Sequence, residues 1–113
     1  MTPYFYKVDS VLRVIDGDTI DVSLNLGFNL TIQQRVRFIG IDTPELRDKN
    51  PHIREDAHVA RLFVEKKLAE AEEIIIHTLK PDSFGRCLGE VFLDGVSLNQ
   101  TLLEEGHAEE YRR

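Results

Sequence analysis

Cysteine is scarce in this sequence and acidic residues outnumber basic ones, and each of these features argues against a class of protein. The single cysteine, Cys87, excludes an internal disulfide and a cysteine zinc site, so we expect a small strand residue there. The four histidines show no zinc-ligand spacing. The net charge is −6, whereas proteins that coat nucleic acid usually carry a basic surface. This charge still permits an enzyme that binds one phosphate with a few arginines.

Long apolar runs are absent as well. No stretch approaches the ~20 apolar residues that span a membrane, and residues 1–6 lack the basic region and apolar stretch of a signal peptide. The sequence as given is therefore expected to be cytoplasmic, unless a leader was removed or the protein is encoded by a phage. Neither a membrane nor an obligate protein partner is indicated. Phosphate-binding loops, dinucleotide fingerprints and Ser/His/Asp sets are also missing.

What is present is the composition of a folded domain. The chain has 113 residues, of which 42% are hydrophobic, and this length suits one core. Residues 1–113 are therefore predicted to form a single domain. Alternating, β-branched segments predict five strands, with a long helix before the fourth and a short helix after the fifth. This order is typical of a mainly β, α+β fold, a five-stranded Greek-key barrel of the oligonucleotide/oligosaccharide-binding (OB) type.

The predicted bounds follow from pattern breaks. The strands are expected at 7–15, 19–26, 30–41, 74–79 and 86–93. The helices are expected at 55–71, capped by Asp56, and at 98–105, capped by Ser97 and ended by Gly106. In the third strand, Ile32, Val36 and Phe38 suit the core.

Residues 37–45 form the stretch around which the other motifs are arranged. Here an apolar strand runs into a turn that carries acidic side chains, with residues 16–19 upstream and Gly85-Arg86 downstream. Arg37 and Asp42 are five positions apart, so on a regular strand they would point to opposite faces. If both serve one site, the strand must bulge or end between them. Gly40 is the natural place for that break.

Three acidic residues in these motifs are hard oxygen ligands. Asp16, Asp18 and Asp42, with a backbone carbonyl and waters, could hold Ca²⁺ or Mg²⁺. Thr43 precedes a proline, which favours an extended backbone and could turn its carbonyl outward as a ligand. An Asp-Gly-Asp turn taken alone is more often structural.

Two arginines and a glutamate supply the complementary chemistry. Arg37 and Arg86 are permanently charged forks suited to phosphate oxygens. Glu45 follows a proline that fixes the backbone, so it is a candidate general base. Each of these residues alone would usually be surface decoration.

The ordered set of motifs resembles the staphylococcal (micrococcal) nuclease, or thermonuclease, family. The resemblance covers residues 8–111 and rests on Asp16-Gly17-Asp18-Thr19, Arg37, Asp42-Thr43-Pro44-Glu45, Phe84-Gly85-Arg86, Asn99 and Gly106. It implies an OB-fold barrel and a Ca²⁺-dependent phosphodiesterase acting on DNA and RNA with little sequence preference. It further implies water attack with cleavage of the P–O5′ bond, which leaves 3′-phosphates.

Residue roles are carried over from the resemblance by position. Asp18, Asp42 and the Thr43 carbonyl would bind Ca²⁺. Asp16 would lie behind these ligands without binding the ion itself. Glu45 would orient or deprotonate the attacking water. The remaining roles concern substrate: Arg37 and Arg86 would bind the scissile phosphate, and Phe84 and Tyr111 would contact the nucleic acid, with single strands preferred.

The sequence departs from the family pattern at three points. The best-known members carry Lys-Tyr before the Gly-Arg pair, whereas this chain has Ser83 and Phe84, so weaker phosphate affinity is expected. Of a pair of tyrosines near the C-terminus, one remains as Tyr111. The sequence ends at Arg113, where the prototype continues into a third helix, so lower stability or self-association is expected.

Two other functions stay open at this point. One is a non-catalytic nucleic-acid-binding OB-fold module, which lost catalytic residues would favour. The other is a metal- or protein-binding module with no nucleic-acid role, which the acidic surface favours slightly. Salt-dependent binding of single-stranded DNA would separate this last class from the others.

Overall fold

The computed structural model describes residues 4–81 and 85–111, with residues 80 and 81 described through their backbone alone. The five long strands are β1 (Tyr4–Asp16), β2 (Thr19–Gly27), β3 (Leu30–Phe38), β5 (Ile74–Pro81) and β6 (Cys87–Leu93). The remaining elements are β4 (Ile41–Asp42), α1 (Pro51–Glu70), β7 (Val96–Ser97), α2 (Leu98–Glu104) and β8 (Glu109–Glu110). No helix among the described residues is long and apolar enough to cross a membrane.

The five long strands form a closed barrel. They are hydrogen-bonded in the order β3-β2-β1-β5-β6, and a parallel pairing of β3 with β6 closes the ring, with Val36 opposite Cys87. Alternate side chains of each strand point inward, as the period of two requires. The innermost positions are wholly buried and include Ile20, Val22, Val36, Ile76 and Val91. The predicted α+β OB-type barrel is confirmed.

The third strand is shorter than predicted because its backbone turns at Gly40. β3 ends at Phe38, Gly40 has φ +80°, and the chain resumes as the two-residue β4. A side chain is strained at such a φ, so the glycine permits the turn. The Ile39 N–H donates to the Gly89 carbonyl at 2.9 Å, which holds the end of β3 against β6. The expected break between Arg37 and Asp42 is therefore present.

Helix α1 begins earlier than predicted. The expected start near residue 55 and the Asp56 cap are wrong, because the helix starts at Pro51 and is capped by Asn50. The Asn50 side chain accepts a hydrogen bond from the His52 N–H at 2.9 Å. Proline fits the first helical turn, where its missing N–H has no intrahelical partner to lose. The buried face of the helix is made by Ala57, Ala60, Val64 and Leu68.

The hairpin between β2 and β3 extends past the core. Phe28 and Asn29 both have positive φ at its tip, 54° and 61°, and Phe28 is 96% exposed. The predicted core position of Ile32 is wrong, since it lies near this tip and is 47% exposed. Val36 and Phe38, further along the strand, are buried as predicted.

The C-terminal part of the chain ties the ends of β3 and β4. Ser97 caps α2 as predicted, accepting from the Gln100 N–H, and Gly106 follows the helix with φ +78°. Buried Asn99 donates to the Ile39 carbonyl at 2.9 Å and accepts from the Val91 N–H at 3.0 Å. Residues 109–110, which follow the last predicted element, form β8 and pair with β4.

Candidate active site

A cleft of about 1010 Å³ opens at the end of the barrel where β2 begins and β3 ends. The structure brings eight of the nine sequence-predicted site residues to this cleft. The ninth, Phe84, lies outside the described residues. The eight are Asp16, Asp18, Arg37, Asp42, Thr43, Glu45, Arg86 and Tyr111.

The turn between β1 and β2 is packed against two other elements. A Cβ added to Gly17 would lie 3.0 Å from the Ala60 Cβ of α1 and from two side-chain atoms of Thr43. Few real Cβ atoms make contacts this close, so a larger residue would require the neighbouring atoms to shift by a few tenths of an ångström. Glycine therefore allows the Asp-Gly-Asp turn to sit against both α1 and the segment after β4.

Asp18 is the most buried acid of the site, with 6% of its surface exposed. Its Oδ2 accepts from the Thr43 N–H at 3.0 Å, and its Oδ1 accepts from the Thr19 hydroxyl at 3.0 Å. The Asp16 Oδ1 in turn accepts from the Asp18 N–H at 3.1 Å. These bonds fix the Asp18 carboxylate relative to the backbone at Thr43. The Thr43 hydroxyl is buried and has no well-aligned hydrogen bond among the described residues.

Arg37 lies between the two predicted metal-binding carboxylates. Its Nη2 is 3.2 Å from the Asp42 Oδ1 and 3.4 Å from the Asp18 Oδ2, and its side chain is only 12% exposed. Its Nη1 donates to the Phe38 carbonyl at 2.8 Å, which anchors the guanidinium to the end of β3. The Tyr111 ring centre lies 5.9 Å from Cζ, within cation–π range.

Asp16 and Asp18 differ in acidity although two positions separate them. Burial, and then the hydrogen-bonded and charged Asp18 carboxylate, raise the pKa of Asp16 to about 7. Burial would also raise the pKa of Asp18, but hydrogen bonds from Asp16 and the Thr43 N–H, with the Arg37 charge, lower it overall. The negative charge of the pair is therefore centred on Asp18, the carboxylate that faces Arg37.

More negative than positive groups act on the Asp42 carboxyl. Burial raises its pKa first, and the charges of Asp18, Glu45 and Glu109 raise it further, against the opposing effect of Arg37. One guanidinium therefore does not fully compensate the carboxylates of this cleft. An additional cation between them would be favourable.

Comparison with known proteins places the chain in a family. A family model described as Staphylococcal nuclease homologue matches residues 35–113. The chain belongs to this family. The Thermonuclease of Staphylococcus intermedius is 35% identical to it over 99 residues, covering 87% of the chain and 56% of the relative.

Two other similar proteins come from a Bacillus and a Methanocaldococcus species. The SPbeta prophage-derived endonuclease YokF of Bacillus subtilis (strain 168) is 35% identical over 102 residues, covering 85% of the chain and 31% of the relative. Uncharacterized protein MJ1439 of Methanocaldococcus jannaschii is 28% identical over 124 residues, covering 89% of the chain and 58% of the relative. This staphylococcal nuclease homologue thus spans roughly half the length of the curated relatives it matches, or less.

The donor set of this staphylococcal nuclease homologue fits a hard divalent cation. The Asp18 and Asp42 carboxylates both face one point, the Nη2 of Arg37, which is already positively charged. Within residues 4–81 and 85–111, no group of three His, Cys, Asp or Glu side chains converges closely enough to hold a metal. A cation would therefore need a backbone carbonyl and waters beside the two carboxylates, and such oxygen donors suit Ca²⁺ and Mg²⁺.

Three further arginines of the staphylococcal nuclease homologue line the cleft and were missed in the sequence. Arg13 lies on β1, Arg47 between β4 and α1, and Arg61 on α1. They share no motif or spacing, and they reach the same cleft from three separate parts of the fold. No linear signal would have singled them out.

Proposed function

We propose that this chain is a metal-dependent nuclease that uses Ca²⁺ to hydrolyse phosphodiester bonds in DNA and RNA. The observation that carries the proposal is that two arginines, two facing carboxylates and a glutamate line one cleft. Family membership supports the same class of reaction. The Thermonuclease and the endonuclease among the relatives carry nuclease names.

Asp18, Asp42 and the carbonyl of Thr43 are the proposed ligands of Ca²⁺. Bound there, the ion would polarise a phosphate oxygen and neutralise the charge that develops on it. Asp16 holds Asp18 in place, because its Oδ1 accepts the Asp18 N–H. The excess of negative charge around Asp42 supports a cation at this position.

The protein side chains supply the rest of the proposed reaction. Glu45 accepts a proton from the attacking water, whose oxygen forms a new bond to phosphorus. Arg37 and Arg86 donate to the non-bridging oxygens and stabilise the extra charge of the five-coordinate state. The P–O5′ bond breaks, so one product ends in a 3′-phosphate and the other, after protonation, in a 5′-hydroxyl.

Low sequence preference and a preference for single strands belong to the same proposal. Arginines bind phosphates whatever the base, and Tyr111 offers a ring on which any unpaired base can stack. Tyr111 is 43% exposed at the edge of the cleft, where a base could reach it. A base inside a duplex would have to unstack first.

Hydrolysis of denatured DNA in Ca²⁺, Mg²⁺ or EGTA, beside Glu45→Ala, tests the proposal. We expect cleavage in Ca²⁺, none in EGTA, and a loss of at least ~10²-fold in Glu45→Ala because the base is removed. Glu70→Ala, which removes an exposed glutamate outside the cleft, is the matched control. Mass spectrometry of the products should find 3′-phosphates.

Three results would contradict parts of this proposal. Tight binding of DNA without cleavage in any metal would favour the non-catalytic OB-fold module. Equal activity in EGTA would remove the metal from the proposal, and near-normal turnover of Glu45→Ala would remove the base.

A further inference from the structure

The cleft carries more positive charge than its proposed chemistry uses. Five arginines and four acidic residues line it among the described residues, whereas the chain as a whole has 14 basic and 20 acidic residues. Arg37 and Arg86 account for two of the five. The other three, Arg13, Arg47 and Arg61, have no role in the reaction proposed above.

Four of the five arginines lie on or beside elements that flank the β1–β2 turn with its two carboxylates, and Arg47 lies in the segment between β4 and α1. Arg37 ends β3, and Arg86 directly precedes β6, the strand that pairs with β3. Arg13 lies on β1, on the far side of β2, and Arg61 lies on α1 next to Ala60, which packs against the turn that links β1 to β2. We call Arg13, Arg47 and Arg61 the β1–α1 arginines.

The β1–α1 arginines retain hydrogen-bond donors for a ligand. Asp21, the partner of Arg13 across the strands, is taken by Arg35 through two hydrogen bonds of 2.8 and 3.1 Å. Within the described residues, neither Arg13 nor Arg47 makes a side-chain hydrogen bond or ion pair. Arg61 uses its Nε for Glu65 at 3.1 Å, and its two terminal nitrogens have no such partner there.

Guanidinium groups that keep spare donors on the wall of a cleft suit phosphate oxygens, which they bind through two donors at once. A nucleic-acid strand presents phosphates at every nucleotide. A strand whose scissile phosphate lies at Arg37 and Arg86 would carry its neighbouring phosphates across the carboxylates to the opposite wall. The acidic remainder of the surface would not attract them.

We propose that Arg13, Arg47 and Arg61 form a second phosphate-binding subsite, which holds the nucleic-acid backbone next to the scissile phosphate. The subsite rests on the proposed nuclease function. With it, the enzyme binds phosphates on both sides of the cleaved bond. Cleavage inside a strand is therefore favoured over cleavage of a terminal bond, which has no neighbouring phosphate to occupy the subsite. It also supplies positive charge to the cleft, in place of the lysine charge that is missing at Ser83.

The salt dependence of binding tests the subsite directly. Arg13→Gln, Arg47→Gln, Arg61→Gln and the triple variant are compared with wild type by fluorescence anisotropy of a labelled single-stranded 12-mer in EDTA. Each lost contact should lower the slope of log Kd against log salt by about 0.7, and the triple variant by about 2. That corresponds to binding weaker by on the order of 100-fold at 0.1 M salt.

Lys66→Gln is the matched control, since Lys66 is exposed on α1 and lies outside the cleft. It should leave the slope unchanged. A triple variant with the wild-type slope and an unchanged melting temperature would overturn the subsite, as would a Lys66 variant with an equal loss. A wild-type protein that does not bind the 12-mer would also overturn it.

Kinetics separate the subsite from the reaction itself. With Ca²⁺ present, the triple variant should raise KM for the 12-mer more than for a dinucleotide that has a single phosphodiester. Equal losses on both substrates would overturn the subsite, because the arginines would then act on the scissile phosphate. Failure of the wild type to cleave either substrate would instead sink the proposed function, while the binding slopes would still decide the subsite.

Discussion

Strands β2 and β3 run side by side between one end that buries charged side chains and another that exposes large apolar ones. At the cleft, Asp18 is 6% exposed and the Arg37 side chain is 12% exposed. At the hairpin tip, Phe28 is 96% exposed and Leu30 is 59% exposed. Both ends invert the usual rule that charged groups face water and large apolar groups do not.

The two ends depart from this rule at different energetic costs. A buried charge costs several kcal/mol unless it is paired, and here Asp18 and Arg37 are paired with each other and with backbone groups. The tip has no such network of buried charges, and its exposed side chains contribute little to the free energy of folding. The cleft end is therefore held by polar contacts that the fold must assemble in full, whereas the tip is held by its backbone turn.

The largest expected effect is the difference between substitutions at Arg37 and Arg35, which lie two positions apart on the outer face of β3. Arg37→Ala should lower the rate of DNA hydrolysis by at least ~10²-fold, because it removes a donor to the charge that develops on phosphate. Arg35→Ala, which removes an exposed partner of Asp21 outside the cleft, should have little effect. Similar rates in both variants would show that the cleft end has no special role.

Asn99→Ala tests how strongly the cleft end is held together. It leaves the Val91 N–H and the Ile39 carbonyl without their partner, so we expect a loss of about 2–4 kcal/mol in the free energy of unfolding. Urea denaturation measures this loss. Gln100→Ala, the exposed neighbour on α2, is the control, and an equal effect there would argue against the polar network.

Asp16→Asn tests the burial of charge through pH. The folded pKa of Asp16, about 7, lies above its ordinary 3.8, so the unfolded chain ionises first. The contribution of this carboxyl to stability is therefore complete below pH ~4 and is lost as pH rises through 7. Asparagine cannot ionise but can keep the bond to the Asp18 N–H. The variant should thus be more stable than wild type at pH 8.

Unfolding in urea with EDTA, at pH 4.5 and pH 8, measures this difference. We expect a gain of at least ~1 kcal/mol at pH 8, well below full conversion of the pKa change because the carboxyl keeps some contact with water. The gain should shrink at pH 4.5. Asp56→Asn on the exposed face of α1 is the control, and a gain that does not depend on pH would contradict the assigned cause.

The smallest effect is expected at the hairpin tip. Phe28 has φ 54°, a conformation that costs a side chain roughly 1–2 kcal/mol, and its ring is almost wholly exposed. Phe28→Gly should therefore raise the free energy of unfolding by about 0.5–1 kcal/mol, after the entropy cost of glycine. A loss of stability, measured in urea, would mean that the ring contributes a contact and that the tip is not the passive end.

The barrel could be predicted because its strands obey local rules. Alternation placed the five long strands, and Gly40 marked the end of β3 because Arg37 and Asp42 could not otherwise share a face. Ser97 and Gly106 are a cap and a stop that act within a few residues. These features depend on neighbours in the chain, which the sequence displays.

Other features depended on context that no local pattern carries. A proline such as Pro51 suits a loop as well as the start of a helix, and Asn50 before it decides between the two. Ile32 alternates like a core residue, but the barrel ends before its position. β8 has two residues and forms because β4 offers it an edge. The β1–α1 arginines reach one cleft from three separate parts of the fold.

The pairing of β4 with β8 has a consequence for protein synthesis. Asp42 is paired with Glu109, and the Tyr111 N–H donates to the Gly40 carbonyl at 2.9 Å. The segment that steadies the acidic turn is thus translated some 70 residues after the turn itself. A nascent chain that carries every acid of the cleft still lacks the strand that holds one of them. The cleft can therefore be completed only after nearly all of these 113 residues have been synthesised.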